Sequence, residues 1–334
     1  VLRLSGTAPE EIDRVAVAQL VSVFEPEPKA WSGWFDGDVA LNQTRFDRIG
    51  SALAPLVGGI PLALKAHHAL KTAVFRERRN LLPRILREDF GVTAPCRFYD
   101  HHYCHATSAF YTSGFDEALV VTLDGGGDGL SGSVYAGKNG QLSKLGEVDS
   151  FHSLGNFYSY VTALCGFKAE RHEGKITGLA AYGKPVYADI LREFVEYQEP
   201  GRIRYRIPMY HRSALQRLRE RLPSDFDRSD LAASVQLLLE EVGVAFVRHW
   251  LRRTGLRKVA LAGGVFANVK FNQRIHQIDG VDALSIHPAM DDGGLAVGAA
   301  LGEMARGRGE RATELVERFP NAYLGPEFAE ATIA

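Results

Sequence analysis

An α/β fold is the class that the 334-residue sequence predicts, and three patterns carry it. An apolar strand at 118–123 runs into a cluster of glycines and returns at 131–135, which is a glycine-turned hairpin. Two further apolar strands, at 258–261 and 283–286, each lead through a glycine-containing loop into a helical stretch. Between them and the hairpin, Leu231, Val235, Leu238, Val242, Ala245 and Leu251 keep one apolar stripe along a long helix expected at 229–254.

In chain order, Thr7, Pro9 and Glu10 mark a short helical start, and residues 14–18 alternate as a strand does. Residues 19–62 hold Pro26, Pro28, Gly33, Gly37, Trp31 and Trp34 without a sustained period, and read as a long irregular insertion covering a site or a partner. A helix with a basic outer face is expected at 64–89, then a short strand at 96–99, then a helix for which Asp100 is the N-cap. A third hairpin strand is expected at 142–148, with helices near 154–164 and 186–197. A loop at 287–294 and a helix from 295 to about 306 close the pattern, and no internal repeat interrupts it.

Composition excludes several classes. With 46% hydrophobic and 24% charged residues, the chain buries a core and is not disordered. The longest apolar stretch, 52–64, is cut by Pro55, Gly58, Gly59 and Pro61 and falls short of the roughly 20 residues a membrane helix needs. Lys and Arg total 39 against 40 acids, so no global field holds a polyanion, and nucleic acid is not the expected partner. The basic cluster Arg76, Arg78, Arg79, Arg84 and Arg87 is interleaved with Glu77, Glu88 and Asp89, as on a solvated helix face. Cys96, Cys104 and Cys165 lack the spacing of a disulfide framework or zinc ribbon, which points to a reducing, cytoplasmic compartment. The first residue is Val1, with no initiator Met or leader, and the opening reads like the middle of a domain. An N-terminally incomplete chain is expected.

His101 and His105 stand four apart, so on a helix they share one face with Cβ atoms about 5–6 Å apart, a gap that one metal ion bridges. Core or surface histidines fit the same spacing. Oxygen ligands for such a pair are available at Asp124, Asp128, Asp291 and Asp292, while His102 points off that face. Gly125, Gly126, Gly127, Asp128 and Gly129 offer bare backbone N–H groups to an anion or a nucleotide phosphate, against the plainer reading of a tight hairpin. Lys175, beside Glu173 and Gly174, suits a phosphate or carbamoyl oxygen. Gly263 and Gly264 with Asn268 match a nucleotide-ribose loop backed by a helix N-terminus, or simply a glycine helix start. Cys104 and Cys165 read as buried thiols.

Taken together and in order, these segments resemble the O-carbamoyltransferases of antibiotic and nodulation-factor biosynthesis, whose first domain is similar to the universal tRNA threonylcarbamoyl transferase. The resemblance rests on His101 to Ala106 with Ser108 to Tyr111, Leu123 to Gly129, Ser153 to Tyr158, Glu173 to Pro185, Ala262 to Asn268, and Asp292 to Ala300. It implies the two-lobed fold shared with sugar kinases, heat-shock ATPases and actin. It further implies a site where carbamoyl adenylate, made from carbamoyl phosphate and ATP, meets the hydroxyl of a small, sugar-containing acceptor near bound iron.

Carried over residue by residue, the ligands of Fe2+, or of another divalent metal, are His101, His105 and Asp292, with Asp124 as a fourth. Asp291 is the runner-up for the late ligand, since it stands where family members often have glycine. The adenylate falls to Gly125, Gly126, Gly127, Asp128, Gly129, Gly263, Gly264 and Asn268. Developing oxyanion charge falls to Lys175 and the acceptor's proton to His102. The expected parts are a first lobe at 1–115, a second lobe at 116–290, a closing loop and helix at 291–320, and at 321–334 a linker toward a missing C-terminal activating domain. The acceptor would be contacted near Trp31 to Arg45. Rival readings are tRNA threonylcarbamoyl transfer, a sugar or acetate kinase working with magnesium, and a non-catalytic nucleotide-binding module.

Overall fold

The structure, a computed structural model, describes residues 6–20, 81–319, 321, 322 and 325. The irregular insertion beyond residue 20, the expected helix over 64–80, the acceptor region at 31–45 and most of the expected linker lie outside the described residues.

The first elements are β1 (Val15–Ala18), α1 (Leu81–Phe90), β2 (Cys96–Tyr99) and α2 (His101–Tyr111). A meander follows, β3 (Glu117–Gly127), β4 (Leu130–Lys138) and β5 (Gln141–Asp149), then α3 (Leu154–Leu164), α4 (Glu173–Leu179) and α5 (Ala188–Arg192). After the hairpin β6 (Val195–Gln198) and β7 (Arg202–Tyr205) come α6 (Arg212–Arg221), α7 (Arg228–Thr254), β8 (Lys258–Ala262), α8 (Val269–His276), β9 (Ala283–Ile286) and α9 (Leu295–Ala305).

The main sheet has five strands in the order β5-β4-β3-β8-β9, antiparallel within the meander and parallel from β3 to β8 and β9. The class is therefore α/β with a mixed sheet, as the sequence predicts. β1 and β2 form a separate parallel pair. β3 reads as one apolar run because both faces of the sheet are covered. Leu119, Val121 and Leu123 enter the larger core with Phe157, Val161, Leu231, Val235 and Phe246 from α3 and α7. Ala118 and Val120, one residue out of phase, enter a second core with Ala106, Ala109 and Phe110 from α2. α7 starts where the Asp227 side chain accepts from the N–H groups of Ser229 and Asp230, and it stops at Gly255, whose φ is 69°.

Two sequence expectations change. The helix expected at 186–197 is only the short α5, followed by the β6–β7 hairpin. Val195 to Gln198 is strand-forming and runs into Pro200-Gly201, and that turn chemistry outweighs a weak apolar period. The hairpin turn is also tighter than the glycine run suggests. Gly127 pairs with Leu130, and the turn is Asp128-Gly129 with both φ angles positive, 49° and 90°, as a two-residue hairpin loop requires. Gly125, Gly126 and Gly127 belong instead to the irregular end of β3, where regular pairing lapses between Leu123 and Gly127. α4 and α6 were not anticipated from the sequence.

α2 is the element that places the site, and all of its residues except Tyr103 are buried. Its neighbour α9 crosses it so closely that a Cβ on Gly298 would stand 1.9 Å from the carbonyl oxygen of Cys104. At the same crossing the Thr107 hydroxyl donates to the Gly298 carbonyl at 2.7 Å. Gly298→Ala should therefore push the two helices apart and cost about 1–3 kcal/mol in urea unfolding, the range for overpacked cores. An unchanged midpoint and slope would show that the crossing is looser than described.

Candidate metal centre

Asp100 begins α2, its Oδ1 accepting from the Tyr103 N–H at 2.8 Å. That cap fixes the phase of the helix and turns His101 and His105 toward the end of β3. There Asp124 leaves the regular ladder, and its carboxylate is held from several sides. Its Oδ1 accepts from the Gly125 N–H at 2.5 Å, and its backbone carbonyl accepts from the Ser153 hydroxyl at 2.7 Å. Its Oδ2 lies 2.8 Å from His101 Nε2 and 3.2 Å from His105 Nε2. Asp292, at the start of the turn before α9, brings its Oδ1 to 3.5 Å from both Nε2 atoms.

The structure thus brings together His101, His105, Asp124 and Asp292, with one potential ligand atom from each and all four within 4.8 Å of one another. The imidazoles are buried, Asp124 is 16% exposed and Asp292 is 64% exposed, so the cluster is closed at its base and open toward solvent. Asp291 turns elsewhere, its Oδ1 accepting from the Gly293 N–H at 3.0 Å. Two imidazole nitrogens and two carboxylate oxygens suit a first-row divalent ion such as ferrous iron and leave coordination positions free. Cys104 is no competitor, because burial pushes its thiol up to about 12.

The charges follow from this packing. Burial works against charge on His105, but the hydrogen bonds to Asp124 and Asp292 outweigh it and raise its pKa to about 9. Burial likewise opposes ionisation of Asp124, and the two histidines overcome it, holding the carboxyl well below the usual range. His102 is opposite in character. Burial and the neighbouring His101 lower it to about 3, and its Nδ1 lies 2.8 Å from Thr122 Oγ1 inside the sheet. The ring expected to take the acceptor's proton is thus fully enclosed and packed beneath the site.

The glycine loops flank the cluster. A Cβ on Gly127 would stand 2.2 Å from the His101 ring, so this glycine makes room for a histidine. Gly263, at φ 105°, sits against the end of β3, where a Cβ would meet the Leu123 carbonyl oxygen at 2.2 Å. Gly264 lies beside Asp124, its notional Cβ 3.5 Å from Oδ1. Two side chains expected on the nucleotide are engaged in the fold. Asp128 Oδ2 accepts from the N–H groups of Leu20 at 2.8 Å and His101 at 2.9 Å. Asn268 caps α8 by accepting from the Phe271 N–H, and its amide nitrogen donates to Gln236 Oε1 at 2.7 Å. Each therefore anchors the fold beside the loops expected to hold the nucleotide. Lys175 is exposed, with its ammonium 5.6 Å from the centroid of the Phe167 ring.

Glu170 escaped the sequence reading, since no motif marks it. Its backbone is left-handed, φ 63°, and its N–H donates to Glu173 Oε1 at 2.6 Å. The residue is exposed, and partial desolvation followed by the negative charges of Glu173, Asp124 and Asp292 shifts its carboxyl upward.

Histidines and carboxylates that could hold a metal ion are thus gathered at a strand end of this α/β chain, beside close-approaching glycine loops. The family described as the carbamoyltransferase N-terminus matches residues 70–301, and the chain belongs to it. It is 34% identical over 254 residues to nodulation protein NolNO of Sinorhizobium fredii, a match covering 74% of this chain and 37% of that protein. It is 33% identical over 297 residues to the uncharacterized protein sll1178 of Synechocystis, covering 82% of this chain and 48% of that one. Among solved structures, HypF of T. kodakarensis is similar at 16% identity and a TM-score of 0.46, over 71% of this chain and 40% of HypF. The chain thus spans less than half the length of these relatives.

The His105–Asp124 pair links stability to pH in the metal-free chain. His105 is raised from the ordinary 6.5 to about 9, so its contribution is complete below about pH 6.5 and is lost as pH rises through 9. In the presence of a chelator, the stability advantage of the parent over His105→Gln should shrink between about pH 7 and pH 10 in urea unfolding. An advantage that stays constant with pH would contradict the pairing.

Proposed function

We propose that this chain performs the transfer half of an O-carbamoyl transfer, moving a carbamoyl group from carbamoyl adenylate to a hydroxyl of a small, sugar-containing acceptor. The observation that carries the reading is the convergence of His101, His105, Asp124 and Asp292 in a member of the carbamoyltransferase family. These four residues would hold a divalent ion, ferrous iron by the donor set. When bound, such an ion supplies Lewis-acid polarisation to a reaction whose nucleophile is otherwise weak.

The remaining chemistry falls to the chain's own groups. The acceptor oxygen forms a bond to the carbamoyl carbon, and the bond from that carbon to the phosphate oxygen breaks, its electron pair leaving with AMP. The loop at Gly263 and Gly264 lets backbone approach the adenylate beside Asp124. Lys175, exposed on its helix, would neutralise developing oxyanion charge. Glu170, an exposed carboxylate that feels the charges of Asp124 and Asp292, would take the proton released by the hydroxyl. Carbamoyl phosphate and ATP enter upstream, in the activating step that makes the adenylate. The near-zero net charge fits a small acceptor better than a polyanionic tRNA, and cysteines without the spacing of a disulfide framework support a cytoplasmic reaction. No helix among the described residues is long and apolar enough to cross a membrane.

The test supplies preformed carbamoyl adenylate and a panel of sugar hydroxyls to the iron-loaded chain. His101→Ala and His105→Ala should each lose iron and transfer together, and the double variant should be scarcely worse than either. Glu170→Gln should keep its iron and lose about 10²- to 10⁴-fold in rate, the usual share of a general base. Stoichiometric iron in both histidine variants, or full activity without metal, would refute the reading.

A further inference from the structure

We infer that Gln19 is a positioning residue of this site, holding the His101 ring at Nδ1 so that Nε2 faces Asp124 and Asp292; the inference rests on the metal reading above. The Gln19 amide nitrogen lies 3.4 Å from His101 Nδ1, a contact between residues 82 positions apart. Gln19 is also one of the few non-glycine residues with a left-handed backbone, φ 81°. Glutamine has no preference for that conformation, and such local strain persists where the surroundings enforce it.

What enforces it is visible. Asp128 Oδ2 accepts both the N–H of Leu20, the residue after Gln19, and the N–H of His101 itself, at 2.8 and 2.9 Å. One carboxylate oxygen therefore ties the strand end that carries Gln19 to the helix start that carries His101. Close to the ring, the missing side chain of Gly127 leaves the space that the imidazole fills. Among the described residues His105 has no such support, because its buried Nδ1 finds no hydrogen-bond partner there.

The chemistry explains why an amide serves at this position. With no ion, His101 Nε2 faces Asp124 and Nδ1 faces the amide nitrogen of Gln19, an arrangement that suits a ring carrying its proton on Nε2. To ligate through Nε2, the ring must carry its proton on Nδ1, which then needs an acceptor. Turning the Gln19 amide by half a rotation presents its carbonyl oxygen at the same place, since the two ends are nearly alike in shape. Gln19 thus satisfies both states, and in the loaded one it plays the part that a hydrogen-bonded neighbour usually plays for a ligating histidine.

The test is a Co2+ titration of the chain, followed by the visible absorption of the bound ion against a competing chelator, for the parent, Gln19→Gly, Gln19→Leu, Gln19→Glu and a His101→Ala control. Gln19→Gly and Gln19→Leu should each weaken Co2+ binding by about 10- to 100-fold. Gln19→Gly relieves the left-handed backbone and should unfold no more easily than the parent, which separates positioning from folding. Gln19→Glu, always an acceptor, should bind Co2+ at least as tightly as the parent. Gly and Leu variants that bind within about threefold of the parent, well inside the range expected for an outer-sphere partner, would overturn the inference while leaving the metal site standing. A parent that shows no Co2+ absorption dependent on His101 would refute the metal reading and this inference with it.

Discussion

One oxygen atom, Oδ2 of Asp124, receives both histidine Nε2 atoms, and much of the chain is arranged to keep it there. The carboxylate sits where β3 leaves its regular ladder, so the irregularity between Leu123 and Gly127 aims a side chain that a straight strand would have sent into one core or the other. Ser153 and the Gly263 loop hold the backbone on either side of it. α2, buried on nearly every face, supplies the histidines from the layer that covers the sheet.

Burying two imidazoles and a carboxylate is costly unless the charges are paired, and the pairing here is direct. The contrast within one helix is instructive. His105 meets two carboxylates, which favour its protonated form in the metal-free chain, whereas His102, three residues earlier and turned into the sheet, meets the Thr122 hydroxyl and no acid and is held neutral. The same side chain type thus takes opposite states because one face of α2 looks at acids and another at β3 and β4. A divalent ion bound there would displace the protons from both Nε2 atoms and meet donors that are already converged. Small residues make this closeness feasible: Gly298 admits α2 against α9, and Gly127 admits the His101 ring against the hairpin.

The parts of the fold legible in the sequence are those where local chemistry and long-range packing agree. α7 has its stripe, its Asp227 cap and its Gly255 stop, and β3, β8 and β9 are apolar runs bounded by turns. The stretch at 186–197 was misread because its apolar spacing suits a helix, while Pro200-Gly201 just beyond it imposes a hairpin. Of the site, the i, i+4 histidines and the strand-end Asp124 could be read, because helix and strand periodicity place them. The internal hydrogen bonds of Asp128 and Asn268 could not. An aspartate in a glycine turn looks the same whether it faces a phosphate or accepts the N–H of a residue 27 positions away. Gln19 and Glu170 are set by contacts across the fold and by left-handed backbone, and neither leaves a mark in local sequence.

The central claim is that two histidines and two carboxylates form one metal centre. The X-ray absorption spectrum of the chain loaded with ferrous iron without air tests it most directly. The account predicts a first shell of nitrogen and oxygen only, with the outer-shell scattering of two imidazoles, and loss of one imidazole's share in a His101→Ala sample that is forced to retain iron. A sulfur scatterer near about 2.3 Å, the distance typical of a metal thiolate, or a spectrum without imidazole features would contradict it.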